Sequence, residues 1–447
     1  MSESRASSES VNPSDAWSTT VRLLVRWSEE EERADWLLDS LPHELSGGER
    51  ARVQALLLGT LRQLGRIEVA LDALVTRPPR ALVRAALWVA GFEFLSQPGD
   101  EGQTAKVCHH LVDQVRRLAS SKEAAFANAV GRKLALSLAQ PLAEPDESAS
   151  VEEWAKYYSH PDWFIARAWD QWGKPTTRQW LELNQSEAPV VLRWRDADNA
   201  PESLDWLTPV AGAAGFFAVA KGHGRELLDL ISTDAVHVQD AATRHAIDLL
   251  NPQPGETLLD LCAAPGGKSL AMGDRMKSGK IVAVDLEGRR QSRLQENLRR
   301  LPNGVEGVAV AAHLQRGLGR FLSGRNLPQT YAGVLLDVPC SNTGVMRHRV
   351  DVRWRLDLGS FRRHARQQLD LLLAAAERVA PGGRLVYSTC SVDREENEPI
   401  VNAFLRRERG AFELEDSVVS LPWATGHDGA AAFRLRRLRA PKQSSRR

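Results

Sequence analysis

The sequence predicts an α/β protein in which an all-α region and a small α+β region precede a parallel sheet covered by helices. Between residues 16 and 139, apolar residues recur at three- and four-residue steps, the period of helices that face a core. From about residue 255, short apolar strands alternate with amphipathic helices, as in parallel sheets that are covered on both faces. We therefore expect three domains, at residues 16–140, 151–240 and 241–440.

Composition limits the classes of function. The 447 residues suffice for two or three domains, and a net charge of +1 does not indicate a polyanion partner. Residues 434–447 contain seven basic and no acidic residues, which fits either a solvated tail or a nucleic-acid contact. The N-terminus is polar and Ser-rich, so we expect no signal peptide and expect residues 1–14 to be disordered. No apolar run approaches the ~18 residues that cross a membrane.

The four cysteines, Cys108, Cys262, Cys340 and Cys390, lie far apart and form no CxxC pair. This spacing argues against a disulfide scaffold or a zinc ribbon, and it predicts a protein of the reducing cytoplasm. Cys108 lies beside two histidines on a predicted helix. A core cysteine next to surface histidines is favoured over a metal site, and we expect no bound metal.

Residues 82–95 are apolar nearly all round, which predicts a central, buried helix within a module of five to seven helices. Residues 140–150 contain two prolines and several acids and are typical of a linker. The next segment is helical and rich in tryptophan. Its tryptophans could stack on bases, but packing between subdomains is the favoured interpretation; they are Trp154, Trp163, Trp169 and Trp172. Short strands and turns follow in residues 188–240, which we interpret as α+β.

The C-terminal region follows a regular order of strands and helices. Strands are predicted at residues 257–262, 280–285, 306–311, 333–338 and 383–389. Helices are predicted at residues 268–278, 288–300, 361–379 and 395–407. Residues 431–438 are predicted to add a final antiparallel strand at the edge of the sheet.

The segment TLLDLCAAPGGKS (257–269) is typical of a strand, a tight glycine turn and a helix start. In open parallel sheets such a junction binds nucleotide-like ligands, because the glycines permit close approach and the helix offers free N–H groups. Asp285 ends the second strand, 18 to 19 residues after the turn, where an acid can accept hydrogen bonds from a ribose. These features predict an adenosine ligand, either a dinucleotide or S-adenosylmethionine. Asp285 could alternatively be a helix N-cap.

Two further strands each end near a cysteine. Cys340 follows Asp337 in DVPCSNTG, and Cys390 lies in YSTCS, so both are expected at the ligand-binding edge. Two such cysteines indicate thiolate chemistry, whereas Cys262 is expected to pack in its strand. Carbon 5 of cytosine becomes nucleophilic once a thiolate attacks carbon 6. Asp337 is placed to stabilise the charge that develops at ring nitrogen 3.

Four motifs resemble the successive motifs of RNA 5-methylcytosine methyltransferases of the Sun/RsmB type, relatives of the NSUN enzymes: LLDLCAAPGGKS, VAVDLEGRR, LLDVPCSNTG and LVYSTCSVDREENE. The helical region ending in KEAAFANAVGRKLA is similar to the NusB-like RNA-binding domain fused to bacterial Sun/RsmB proteins. HVQDAATRHAIDLL and SHPDWFIARAWDQWG also match, so the resemblance covers about residues 16–440. It implies a Rossmann-like S-adenosylmethionine-dependent methyltransferase domain preceded by a NusB-like domain and an α+β connector.

The resemblance implies that Cys390 is the nucleophile, that Cys340 assists product release and that Lys268 lies near the reaction centre with Asp337. It implies RNA as the substrate, 16S ribosomal RNA being expected, and we expect a monomer. The implied S-adenosylmethionine site consists of Cys262, Ala263, Ala264, Pro265, Gly266, Gly267, Lys268, Asp285, Arg290 and Asp337.

The chain departs from the family pattern after the third strand, where an aspartate usually lies near the adenine. Ala311, Ala312 and His313 occupy this place, which implies a weaker adenine contact. A competing hypothesis is therefore a catalytically weak relative that binds RNA in ribosome assembly. A small-molecule methyltransferase would leave the helical region unexplained. Four arginines after the first cysteine fit either phosphate contacts or a solvated helix face; they are Arg347, Arg349, Arg353 and Arg355.

Overall fold

The apolar periodicity of the N-terminal region produces an all-α unit. The computed structural model describes residues 16–42, 44–201 and 204–438. The chain divides into two units, the first comprising Met1–Gln185 with Arg349–Arg355 and the second Ser186–His348 with Leu356–Arg447. The helices of the first unit are α1 (Ala16–Glu29), α2 (Ala34–Asp39), α3 (Gly47–Asp72), α4 (Ala81–Ser96), α5 (Glu101–Leu118), α6 (Ser121–Ala139), α7 (Val151–Tyr158), α8 (Asp162–Gln185) and the short α14 (Val352–Arg355).

Helix α4 is the centre of the helical core, as its uniformly apolar sequence predicts. It contacts α1, α3, α5 and α6, and Leu87 and Val89 are fully buried. Cys108 is buried in the same core, whereas the neighbouring His109 is exposed. Residues 1–14, and the basic tail from residue 439 onwards, lie outside the described residues.

The tryptophan-rich segment packs within the helical unit. Trp154 is fully buried, and its ring meets that of Trp169 edge-to-face at 5.3 Å between centroids. The Arg178 guanidinium lies over the Trp154 ring at 5.1 Å from its centroid. Trp154 therefore packs as the favoured interpretation requires, but its partners Trp169 and Arg178 lie within the same helical unit and not in a neighbouring one.

The segment Arg349–Arg355 enters the helical core, although its sequence neighbours belong to the second unit. Val350 is fully buried among the helices, and the Trp354 indole N–H donates to the Leu61 carbonyl at 2.7 Å. Arg353 is fully buried and donates to the Asn184 carbonyl at 3.0 Å. Both expectations for Arg353, a phosphate contact and a solvated face, are therefore wrong, because backbone carbonyls bind its guanidinium inside the core.

The second unit begins with the α+β region predicted from residues 188–240. Its antiparallel sheet has the order β2-β3-β1-β4. Its elements are β1 (Val191–Trp194), β2 (Leu207–Pro209), β3 (Phe216–Val219), α9 (Gly224–Ser232) and β4 (Val236–Val238).

A seven-stranded sheet with the order β10-β11-β9-β8-β5-β6-β7 follows. Its strands are β5 (Thr257–Leu261), β6 (Gly279–Asp285), β7 (Val305–Ala311), β8 (Tyr331–Asp337), β9 (Val379–Thr389), β10 (Phe412–Ser420) and β11 (Ala430–Arg437). The strands from β9 to β7 are mutually parallel. The helices of this unit are α10 (Arg244–Leu250), α11 (Gly267–Met276), α12 (Gln291–Arg299), α13 (Leu318–Ser323), α15 (Leu358–Ala376), α16 (Glu398–Glu408) and α17 (Pro422–Thr425).

One strand prediction is wrong in its position. β11 is antiparallel as expected, but it pairs with both β9 and β10 and is therefore internal. The edge strand is β10, which the sequence analysis did not identify. Seven of its nine residues in a row are exposed or half-buried, so FELEDSVVS lacks the buried apolar run of the other strands. Among the described residues, no helix has the length and apolar character needed to span a membrane.

Candidate active site

The turn after β5 has a tight backbone conformation and leads directly into helix α11. Cys262 and Gly266 adopt left-handed conformations with φ of 60° and 102°, and the Ala264–Pro265 peptide is cis. Gly266 precedes the first residue of α11, and its N–H donates to the Ala263 carbonyl at 2.7 Å. A side chain at Gly266 would lie 3.0 Å from the Leu294 side chain. α11 thus begins at a residue without a side chain, Gly267, where a helix N-terminus can bind an anionic group through backbone N–H groups.

Asp285 fixes this turn to the end of β6. Its Oδ2 accepts the Ala264 N–H at 2.8 Å, and its Oδ1 accepts the Leu286 N–H at 2.7 Å. The helix that follows has Arg290 at its N-cap position, so Asp285 is not a helix cap and that alternative is wrong. Each carboxylate oxygen retains a lone pair for a hydroxyl donor.

The strand after Asp285 provides an apolar neighbour. β7 pairs with β6 so that Ala311 lies opposite Asp285, and the Ala312 N–H donates to the Asp285 carbonyl at 2.9 Å. The methyl groups of Ala311 and Ala312 therefore occupy the place after β7 where the family pattern has an acid.

Lys268 and Asp337 form an ion pair at the carboxyl edge of the sheet. The Lys268 Nζ donates to Asp337 Oδ2 at 2.7 Å, and the Ser388 hydroxyl donates to Asp337 Oδ1 at 3.0 Å. Burial opposes the charged ammonium, but the Asp337 charge and hydrogen bond outweigh this effect and raise the pKa of Lys268. The negative charge of a Cys390 thiolate contributes in the same direction. Lys268 is therefore a fixed cation near Cys390.

The two cysteines predicted at this edge lie in direct contact. Cys340 Sγ and Cys390 Sγ are 3.2 Å apart, and Cys390 Sγ lies 3.3 Å from Asn342 Oδ1. Cys340 is buried, whereas Cys390 is partly accessible. The hydrogen bond with Cys390 and burial together raise the pKa of Cys340 well above its ordinary value. The geometry thus presents an accessible thiol beside a buried, protonated one.

Cys262 is not part of this thiol pair. It directly follows β5, and burial raises the pKa of its thiol far above the ordinary range. A thiol held protonated in this way is a poor nucleophile, which agrees with a packing role.

Asp260 is a buried acid that the sequence analysis did not select. It is fully buried in β5, and the Ser269 hydroxyl donates to its Oδ2 at 2.5 Å. Burial raises its pKa to about 7. In the sequence, an acidic residue inside an otherwise apolar strand was the signal that could have identified Asp260. Asp260 ties β5 to the first turn of α11 beneath the glycine turn.

A further cluster lies beside a cavity of about 200 Å³ in the second unit. Asp240, His348 and Asp428 place potential ligand atoms within 4.8 Å of one another. The imidazole Nδ1 of His348 lies 2.9 Å from Asp428 Oδ1, and Asp240 Oδ1 accepts the Ala242 N–H at 2.8 Å. These side chains thus satisfy one another and the backbone. In the described part of the chain, Cys108 belongs to no such cluster.

The sequence is similar to two known protein families. The family described as 16S rRNA methyltransferase RsmB/F matches residues 247–431, and the NusB family matches residues 15–135. Ribosomal RNA small subunit methyltransferase B of Cronobacter sakazakii is 30% identical over 431 residues, which span 88% of this chain and 92% of that protein. The resemblance found in the motifs is therefore confirmed.

Two solved structures share the fold. The structure of PH0851 has a TM-score of 0.75 at 21% identity and covers 95% of this chain and 99% of that chain. A methyltransferase homologue from Pyrococcus horikoshii has a TM-score of 0.54 at 22% identity and covers 66% of this chain and all of its own. These similarities confirm the predicted Rossmann-like architecture.

The raised pKa of Asp260 predicts a pH-dependent difference in stability between the wild type and Asp260→Asn. An unfolded aspartate loses its proton near pH 3.8, whereas the native one keeps it up to about pH 7. The wild type should therefore lose unfolding free energy relative to the variant as the pH rises from 4 to 7, by up to about 4 kcal/mol. Urea unfolding at pH 5 and pH 7.5 measures the difference. The exposed control Asp229→Asn should show no such trend, and a constant difference for Asp260→Asn would contradict the assignment.

Proposed function

The chain belongs to the RsmB/F family of 16S rRNA methyltransferases, and from this premise we propose that it methylates carbon 5 of a 16S ribosomal RNA cytosine through a covalent adduct on Cys390. S-adenosylmethionine-dependent methylation of RNA cytosine is the reaction of the family. The observation that supports the covalent route is the 3.2 Å contact between Cys340 and Cys390 beside the Lys268–Asp337 pair.

The residues around the glycine turn fit S-adenosylmethionine. Asp285 offers carboxylate lone pairs to ribose hydroxyls, and the start of α11 at Gly267 offers its backbone N–H to the methionine carboxylate, whereas the Gly266 N–H is already bound to the Ala263 carbonyl. Ala311 and Ala312 provide apolar contact for the adenine. When bound, the cofactor supplies the methyl cation. We propose that the remaining members of the predicted site surround the bound cofactor; they are Cys262, Ala263, Ala264, Pro265 and Arg290.

Cys390 is the proposed nucleophile because it is the more accessible thiol and lies near the Lys268 cation. Its thiolate forms a bond to carbon 6 of the cytosine, which turns carbon 5 into a nucleophile for the methyl group. A solvent water then takes the proton from carbon 5, the double bond between carbons 5 and 6 re-forms, and Cys390 leaves as a thiolate. Cys340, whose protonated thiol lies 3.2 Å from Cys390, is the proposed group that assists this release by donating a hydrogen bond to the departing sulfur.

Lys268 and Asp337 act as a unit in this proposal. Asp337 accepts from both Lys268 and Ser388, so it holds the ammonium in one position. The cation then stabilises the negative charge that thiolate attack places on the cytosine ring. Asp337 thus acts on the ring through Lys268.

RNA is the proposed macromolecular partner. The target cytosine must leave its stack before carbon 6 can reach a thiol. We propose that the NusB-like domain at residues 16–140 and the connector at residues 151–240 bind the RNA around that nucleotide, while residues 241–440 carry the chemistry. We further propose that the enzyme acts as a cytoplasmic monomer.

Loss of the gene should remove one or more 5-methylcytosines from 16S ribosomal RNA. Bisulfite sequencing of total RNA from cells with and without the gene measures this directly. An unchanged pattern in all RNA would count against the proposed reaction. It would favour the alternative in which the protein binds RNA without turnover.

The two cysteines should differ in adduct formation. Cys340→Ala should accumulate a covalent complex with RNA in the presence of S-adenosylmethionine, because release is blocked after attack by Cys390. Cys390→Ala should form none, and its methylation should fall to background. Denaturing gels with labelled RNA measure the complex. Cys108→Ala, in the helical core, is the matched control and should methylate RNA without accumulating a covalent complex. If Cys390→Ala accumulates the complex instead, the roles of the two cysteines are the reverse of those proposed.

The loop that follows Cys340 and the loop that contains Cys390 pack so closely that no side chain fits at Gly344. A Cβ there would lie 2.7 Å from the Cys390 carbonyl oxygen and 2.9 Å from the Gly429 Cα. Gly344→Ala should therefore displace the loops and lower the methylation rate by about tenfold or more. Gly288→Ala, whose Cβ would meet nothing within 4 Å, should retain the wild-type rate. Equal rates for both variants would show that the loops tolerate separation.

A further inference from the structure

A buried polar network joins the loops that carry the two cysteines. Its centre is Glu396, which lies in a short helical turn six residues after Cys390 and is fully buried. All other members of the network are at most 2% exposed; they are Ser341, Thr343, Gln368 and Ser391. Burying polar groups of this kind costs folding free energy unless hydrogen bonds satisfy them. The hydrogen bonds of this network therefore indicate a specific structural role at the site.

Glu396 holds the backbone on both sides of Cys340. Its Oε1 accepts the Ser341 N–H at 3.0 Å, and its carboxylate also accepts the Ser341 hydroxyl. The Gln368 amide donates to Glu396 Oε1 at 2.9 Å and to the Pro339 carbonyl at 3.0 Å. The residues before and after Cys340 are therefore both tied, directly or through Gln368, to one carboxylate.

The same network reaches the Cys390 loop. The hydroxyl of Ser341 lies 3.0 Å from that of Ser391, and the hydroxyl of Thr343 lies 3.0 Å from the same Ser391 oxygen. Glu396 is itself anchored, because the Tyr387 hydroxyl donates to its carbonyl at 2.6 Å. Each cysteine is thus followed by a serine, and the two serines meet above the carboxylate.

The charges on the two sides of the cysteine pair are opposite. The groups that donate hydrogen bonds to Glu396 are neutral, so they leave its negative charge in place. This charge is one of the causes that raise the pKa of the Cys340 thiol. On the other side, Lys268 interacts with Cys390. A carboxylate beside one thiol and an ammonium beside the other favour a negative charge on Cys390 and a proton on Cys340.

We propose that Glu396 is a positioning residue that locks the Cys340 loop against the Cys390 loop and keeps the negative charge of the thiol pair on Cys390. The catalytic consequence rests on the proposed function, because it assumes that Cys390 attacks the cytosine and Cys340 assists release. The placement of charge does not depend on that assumption, and it can be measured without any substrate.

Glu396→Gln is the direct test, since it keeps the size of the side chain and removes its charge. Alkylation of each cysteine by iodoacetamide is followed against pH by peptide mass spectrometry on the full-length protein. The pH at which Cys340 reacts half-maximally should fall by about one unit, because its thiolate loses a nearby negative charge. In methylation assays kcat should fall about tenfold or more, while KM for RNA and for S-adenosylmethionine should stay within about twofold.

Glu398→Gln is the matched control, because Glu398 is exposed two residues further along the chain. It should leave both the alkylation profile and kcat unchanged. If Glu396→Gln lowers the melting temperature but shifts neither the Cys340 profile nor kcat, Glu396 is a purely structural residue and the proposal is overturned. If the wild type methylates no RNA, the proposed function fails, while the alkylation profile still decides the role of Glu396.

Ser341→Ala covers the case in which Glu396→Gln does not fold. This variant keeps the carboxylate and removes the hydroxyl that links it to Ser391. It should lower kcat about fivefold or more with the Cys340 alkylation profile close to that of the wild type, because only the positioning is lost. Wild-type kcat in this variant would overturn the positioning role.

Discussion

The parallel pairing of β8 with β9 determines where the two candidate catalytic cysteines meet. Asp337 lies opposite Ser388 in the register, so the chain leaves both strands at the same level. Cys340 follows three residues after Asp337 and Cys390 two residues after Ser388, and the two thiols meet 3.2 Å apart. A shift by one residue would turn alternate side chains to the opposite face and separate them. The next pairing, β8 with β5, brings the glycine turn and Lys268 to the same edge.

Much of this arrangement could be predicted from the sequence because parallel strands are buried on both faces. Such strands are continuous apolar runs, and all five parallel strands were identified by that signal. The antiparallel end of the sheet was harder to predict. β10 is exposed or half-buried at every residue between its two ends, and its pairing with β11 spans the loop that contains α17. The inserted segment Arg349–Arg355 was misjudged for a related reason, since a run of basic residues does not show that carbonyl groups of the helical unit will surround Arg353.

The positions of Cys340, Cys390 and Asp285 at one edge of the sheet could be predicted because each follows or ends a parallel strand, whereas Lys268 was identified only by the motif resemblance. The site was less predictable where function depends on partners distant in sequence. Glu396 belongs to an acid-rich stretch, DREENE, in which only the fold shows which acid is buried. Its main partner, Ser341, is 55 residues away. The role of Asp260 could not be predicted either, because its hydroxyl partner, Ser269, lies nine residues further along the chain, beyond the glycine turn.

Two identical thiols in contact need an asymmetric environment if they are to act differently. The sheet supplies it, because the end of β5 leads to Lys268 on one side of the pair and the turn after β9 leads to Glu396 on the other. Electrostatic interactions are stronger where water is excluded, and both charged groups are largely buried. The ammonium needs Asp337 to remain charged there, and the carboxylate needs Ser341 and Gln368. In the proposed mechanism, the different roles of Cys340 and Cys390 thus depend on five side chains, and any change that weakens one of them should make the two thiols more alike. These side chains are Lys268, Asp337, Glu396, Ser341 and Gln368.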